Sequence, residues 1–485
     1  MGNVLGGLKP QKVWEFFEAI CSYPRPSKKE EKIAAYIMDF AKEYKLKAVR
    51  DSAGNIIIKK PATKGMENRK TVCVQGHIDM VCEKNNDVEF DFDVDGIQPW
   101  IDGEWVKAKG TTLGADNGIG VAMAMAVLAS NDIEHPDFEA LFTIDEETGL
   151  TGAQALAPNI LKADILINLD SEEDGAFTIG CAGGINTAAI FDYHADTLNG
   201  EHFAFEIALK GLRGGHSGIE IHDERGNAIK ILNRLIWNLT HKYNVRLATF
   251  NSGNKHNAIP REGFAVIACA RPAKHDVANY ITEFNSMVHF EYETKEPNLH
   301  FVTTAVDIPD KVMTVESQRA FLNALYACPH GVIRNSPDIE NLVQTSTNLA
   351  VVETFEKEIK VVTSQRSSAE SEKMDLATMV RTVFELAGAR LEAGDGYPGW
   401  QPNINSPILK LCKDISKEVY GKEPKVEAIH AGLECGLIGE KYPGMDMISF
   451  GPTLKDVHSP DEKILIHTVE NCWNLFLGIL KNIPA

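Results

Sequence analysis

Four short apolar runs, far apart in the chain, each break off at histidine or carboxylate residues. Thr71-Val-Cys-Val-Gln leads into Gly76-His77-Ile-Asp79-Met, and Phe138 to Ile144 leads into Asp145-Glu146-Glu147. Ala163 to Leu169 stops at Asp170, and Met447-Ile-Ser-Phe-Gly precedes a loop carrying His458-Ser-Pro-Asp-Glu. A fifth group, Gly114-Ala-Asp116-Asn117-Gly118, stands just before an apolar helical stretch. In an open α/β sheet, ligands gather outside the carboxyl ends of the strands, so side chains remote in sequence converge on one rim.

The surroundings fit such a sheet. Residues 11 to 45 read as amphipathic helix interrupted at Pro24-Arg-Pro26-Ser27, and strands then alternate with helices through residue 186. The middle differs: a strand, a Gly-rich turn and a helix around 203–240 are followed by a strand, a polar turn and a helix around 357–387, a weak internal duplication. Gly394-Asp-Gly-Tyr-Pro-Gly-Trp-Gln-Pro is a linker candidate, and the chain closes on a helix near 466–482. A chain of 485 residues exceeds a single core. The expected division is an α/β domain of residues 1–186 and 398–485, interrupted by an inserted domain of residues 187–397.

Composition argues against several partners. With a net charge of −19 the chain repels nucleic acid and anionic membrane alike. The longest apolar run, Gly120 to Ala129, is about half a membrane span. The first 27 residues carry Lys9, Lys12 and Glu15 and no signal-peptide core. Nine scattered cysteines, an odd number without a CxxC pair, fit reduced thiols in the cytosol better than a disulfide framework.

Imidazole and carboxylate ligands at two histidines and three acids suit zinc, or cobalt or manganese. One carboxylate bridging two ions about 3.5–4 Å apart would give a two-metal hydrolytic clamp. A second carboxylate beside the ions must take the proton of the attacking water. Glu146-Glu147 suits this division of labour, since neighbouring side chains at a strand end diverge. On an extended segment Asp79 points the same way as His77 and can orient its far nitrogen. Singly, each has a plainer reading: Asp116 as a helix N-cap, Glu146-Glu147 as a solvated turn, His458 as a loop histidine. Their shared placement at element ends argues against those readings. Asp91-Phe-Asp93-Val-Asp95-Gly96 imitates a calcium loop, but Pro99 falls inside it and its twelfth position is Asp102 rather than Glu.

Gly-His77-Ile-Asp79-Met-Val, Gly-Ala-Asp116-Asn-Gly, Asp-Glu146-Glu147-Thr-Gly and Asp170-Ser-Glu-Glu together resemble the M20 family of metallopeptidases. Gly-Met-Glu-Asn-Arg-Lys at 65–70, Asp-Gly-Glu-Trp-Val-Lys-Ala at 102–108 and His-Ala-Gly-Leu-Glu-Cys-Gly at 430–436 resemble its aminoacyl-histidine dipeptidase branch. The resemblance implies a mixed-sheet, di-zinc α/β catalytic domain with an inserted α+β lid, and cleavage of dipeptides, Xaa-His types included. It implies two Zn²⁺ per chain, with Co²⁺ or Mn²⁺ as alternatives: one on His77, Asp116 and Asp170, the other on Asp116, Glu147 and His458. Glu146 is then the general base, with Asp79 behind His77 and a cis peptide between Asp116 and Asn117. Gly214-Gly-His216-Ser-Gly matches the lid histidine that meets the scissile carbonyl, and His256-Asn257-Ala-Ile-Pro the substrate-binding asparagine. Arg366 would clamp the substrate's C-terminal carboxylate, with Gly432 offering backbone contact beside it. Rivals are an aminopeptidase or N-acyl amino-acid deacylase on the same metal core, and a catalytically silent metal- or peptide-binding protein. Side-chain preference and a homodimer through the lid edge are left open by the sequence.

Overall fold

A computed structural model describes residues 4–485. The chain forms two compact units. One comprises the chain through Cys181 together with Trp400–Ala428 and Leu433–Ala485; the other comprises Ala182–Gly399 and Ile429–Gly432. The short return of Ile429–Gly432 to the second unit is marked by no shift in composition.

The first unit is built on an eight-stranded mixed sheet. Its order is Lys47–Arg50, Ile56–Lys60, Phe138–Thr143, Val72–His77, Ile165–Asn168, Asp446–Ser449, Ala176–Cys181 and Lys425–Ile429. Val72–His77 pairs in parallel with both Phe138–Thr143 and Ile165–Asn168, and Ile165–Asn168 pairs in parallel with Asp446–Ser449. These four strands therefore end on the same side. Every residue of Val72–His77 and Phe138–Thr143 is buried, because helices cover both faces of a parallel sheet. The helix Ala115–Ala129 follows the same logic: it is apolar almost all round and buried along nearly its whole length. A second, four-stranded sheet pairs Leu454–Lys455 with Lys463–Leu465, then Trp105–Ala108, then Pro99–Asp102. It holds the loop that carries His458.

The second unit is a nine-stranded antiparallel sheet with four helices, Ala228–Tyr243, Lys274–Tyr292, Val315–Ala327 and Glu370–Leu386. Leu232, Leu235, Leu239, Phe321, Val380 and Phe384 from these helices pack with Ile207, Phe250 and Val361 from the sheet in one core. Both strand–turn–helix segments read from the sequence contribute strands to this one sheet, His202–Lys210 and Glu358–Ser367. Asn227 caps the first helix by accepting from Lys230 N at 3.1 Å, and Asn244 ends it with φ +52°.

Candidate metal centre and peptide-binding residues

The parallel strands deliver their terminal residues to one place. His77 Nε2 lies 3.0 Å from Asp116 Oδ1 and 3.4 Å from Asp170 Oδ1. His458 Nε2 lies 3.1 Å from Asp116 Oδ2 and 3.0 Å from Glu147 Oε2. The two oxygens of Asp116 thus face two different histidines. Ligand atoms of His77, Asp116 and Asp170 lie within 4.8 Å of one another, as do those of Asp116, Glu147 and His458, and those of His77, Glu146 and Glu147. Asp116 and Asn117 depart from helical geometry at the start of their helix, and the peptide between them is cis.

Glu146 and Glu147 are not on an extended strand end, contrary to the sequence reading. The strand stops at Thr143, Asp145 takes φ +50°, and both glutamates fall in the first turn of the short helix Glu146–Gly149. The backbone N–H groups of Glu146 and Glu147 donate to the two oxygens of Asp79, at 3.1 and 3.2 Å. Asp79 Oδ1 also lies 3.3 Å from His77 Nδ1, so one carboxylate fixes both the imidazole and the start of the glutamate turn. His458 sits in a loop with two non-glycine residues at positive φ, Asp456 (+55°) and His458 itself (+61°), a conformation held by its flanking strands.

This cluster is crowded with negative charge. Burial, reinforced by Asp170, Glu434 and Glu147, raises Glu146 well above the usual carboxylate range. Burial likewise lifts Asp170 to about 6. Hydrogen bonds to Asp116 and Glu147 raise His458 to about 11. Glu147 Oε1 and Asp170 Oδ1 are buried without a hydrogen-bond partner among the described residues. Buried carboxylate oxygens left without donors, facing imidazole nitrogens, are the donor set of a divalent cation. The residues present fit that group. The calcium-like segment does not: Asp93 is taken by Lys29 Nζ at 2.5 Å.

In the second unit, Gly215-His216 pairs with Ala258-Ile259, and Ser217 N donates to Asn257 O at 2.9 Å, which sets His216 beside Asn257. His216 Nδ1 accepts from Gly218 N and Ile219 N at 3.2 and 3.1 Å. The neutral ring therefore carries its proton on Nε2, and burial followed by Arg366 lowers its pKa. Arg366 is 7% exposed; its Nη1 donates to Tyr397 Oη at 3.0 Å and its Nε has no partner among the described residues. A Cβ on Gly218 would lie 3.0 Å from His216 Cε1 and 3.2 Å from Arg366 Nη1, so this glycine keeps the space between ring and guanidinium open. Gly432 abuts the Tyr397 ring, where a Cβ would come within 2.8 Å. His216 and Asn257 also border a cavity of about 650 Å³ whose wall includes Arg213, Lys255 and Arg261.

Three groups went unnoticed in the sequence. Glu434 is buried and accepts from Gln75 Nε2 at 2.5 Å and Thr143 Oγ1 at 2.7 Å; burial pushes it up to about 7. Arg25 and Glu462 are likewise buried. Glu434 lies in the His430–Gly436 motif, where its apolar neighbours Leu433 and Cys435 could have flagged it.

Comparison with known proteins places this arrangement. The profile of peptidase family M20/M25/M40 matches residues 73–482. The chain belongs to that peptidase family. It is 46% identical over 481 residues to the cytosol non-specific dipeptidase of Escherichia coli (strain K12), covering 99% of each chain. The crystal structure of an aminoacylhistidine dipeptidase from Vibrio alginolyticus superposes with a TM-score of 0.93 at 46% identity, over 99% of this chain and 98% of that one. An aminopeptidase PepT from Bacillus cereus shares this fold at 16% identity, with a TM-score of 0.58 over 98% and 99% of the chains. Among the described residues, no helix of this M20 peptidase is long and apolar enough to cross a membrane.

Proposed function

We propose that the protein is a cytosolic dipeptidase that holds two zinc ions and cleaves dipeptides, Xaa-His types included. The observation that carries this is the convergence of His77, Asp116, Glu147, Asp170 and His458 with Glu146 beside them. Near-full-length likeness to two dipeptidases supports it. An aminopeptidase or deacylase on the same core is the rival; buried Arg366, whose Nε has no partner among the described residues, suits the free carboxylate that all these substrates carry, and the near-full-length likeness to two dipeptidases favours the dipeptidase.

In this reading His77, Asp116 and Asp170 hold one ion, and Asp116, Glu147 and His458 the other, with Asp116 shared. The bound ions supply water activation and neutralise developing charge. Glu146 takes the proton of the attacking water and passes it to the leaving amine. Asp79 keeps His77 in one tautomer and orientation. The inserted 187–397 segment serves as a lid whose His216 Nε2–H donates to the carbonyl oxygen as it gains charge. Arg366 pairs with the C-terminal carboxylate, beside Asn257 and the Gly432 backbone. Nucleic acid and membranes have no part in this reading.

Two predictions follow from the binding groups. Arg366→Ala should raise KM for free dipeptides about 30-fold or more while leaving kcat within a few-fold, since a desolvated charge partner is lost. Equal losses on free and C-terminally amidated dipeptides would remove Arg366 from this role. Chelation should abolish hydrolysis and lower the thermal midpoint, and adding metal back should restore both. A ligand bound only by the folded chain at about a thousand times its Kd adds about 4 kcal/mol, roughly 4–8 °C for a chain of this size. An unchanged calorimetric midpoint after verified metal removal would contradict the site.

A further inference from the structure

Two buried side chains of opposite charge grip the segment that presents Asp116. Glu462, 2% exposed, accepts four consecutive backbone N–H groups: Leu113 at 2.7 Å and Gly114 at 2.9 Å on Oε2, Ala115 at 2.8 Å and Asp116 at 3.3 Å on Oε1. Arg25, also 2% exposed, donates through Nη1 to the carbonyls of Ile78 (3.2 Å) and Asp79 (2.8 Å), and through Nη2 to that of Gly114. Gly114 takes φ +68°, which turns its N–H toward the carboxylate and its carbonyl toward the guanidinium. A Cβ on Gly118 would lie 2.8 Å from Arg25 Nη2, so the missing side chain there gives the guanidinium its room.

Burying either charge is costly, and main-chain dipoles here take the place of water. The groups they engage are the backbone of residues carrying candidate ligands. Glu462 stands four residues after His458, in the same loop between Leu454–Lys455 and Lys463–Leu465. Its carboxylate therefore ties the His458 loop to the backbone of Asp116. Arg25 ties Gly114, two residues before Asp116, to Ile78 and Asp79, immediately after His77.

We propose that Glu462 and Arg25 are positioning residues of the metal centre, which fix the backbone of Asp116 relative to His458 and to His77 before any ion arrives. Preformed geometry of this kind raises metal affinity without touching the ion. The proposal rests on the two-metal reading, and the test separates the two. Calorimetric titration of the metal-free wild-type protein with Co²⁺ comes first; failure to bind two ions per chain would overturn the reading itself, and the proposal with it. With two ions bound by the wild type, Glu462→Gln should weaken at least one of them tenfold or more, because the amide turns a donor toward backbone N–H groups. Arg25→Lys, which loses the fork but keeps the charge, should also weaken binding, with the far-UV circular dichroism of the folded chain retained in both variants. Wild-type affinity for both ions in folded Glu462→Gln and Arg25→Lys would overturn the proposal. Hydrogen exchange of the wild-type protein tests it independently of any variant's folding. The amides of residues 113–116 should be as protected in chelated protein as in Co²⁺-loaded protein. Free exchange there until the metal is added would overturn preorganisation.

Discussion

Glu146→Gln is expected to lower kcat on dipeptides by about 10²- to 10⁴-fold while both metals stay bound. The amide matches the carboxylate in size but cannot take a proton from water. The environment of Glu146 suits the role: burial, with Asp170, Glu434 and Glu147 close by, raises its proton affinity well above that of an exposed glutamate. Its backbone N–H is anchored on Asp79, which leaves the side chain to face the cluster. Neutralising one of several crowded buried carboxylates should not cost stability. Kinetics together with elemental analysis check this. Activity within a few-fold of wild type would move the base elsewhere, and loss of a metal in step with activity would make Glu146 a ligand. Glu147→Gln should behave in the opposite way, losing metal first.

His216→Ala is expected to lower kcat by about 10²- to 10³-fold, the 2.7–4 kcal/mol of a lost oxyanion donor, with a smaller rise in KM. Two backbone N–H groups, from Gly218 and Ile219, occupy Nδ1 and so commit the neutral ring to donation from Nε2. The pKa of the ring is lowered by burial and by Arg366, which keeps it a neutral donor at physiological pH. Metal content should be unchanged, since His216 belongs to the second unit and the candidate ligands to the first. A kcat loss under about fivefold in metal-replete protein would leave His216 as a turn residue.

The convergence of the candidate ligands was legible because each is set against an apolar element whose direction is fixed by burial. Val72–His77 is buried throughout, so the first polar residues after it must lie at its end. The turn at Asp145 was missed although Asp before two glutamates can open a helix, because Glu146–Gly149 is too short to show an apolar period. Local pattern also says nothing of Arg25 and Glu462. Their partners are main-chain groups 53 to 89 and 346 to 349 residues away, and backbone dipoles leave no trace in side-chain identity. Glu434 was hidden for a related reason: it opens the helix Glu434–Lys441, and its donors Gln75 and Thr143 sit on two strands remote in sequence. The inclusion of Ile429–Gly432 in the second unit depends on a chain path that no composition shift marks.

The most direct test of the account is a metal titration followed by turnover. Metal-free protein would be titrated with Zn²⁺ while hydrolysis of an unmodified Xaa-His dipeptide is recorded. Activity should saturate at two equivalents per chain, fall sharply when the dipeptide's C-terminus is amidated, and stay near baseline for Glu146→Gln carrying the same two ions. Protein holding two ions yet hydrolysing no free dipeptide would contradict it.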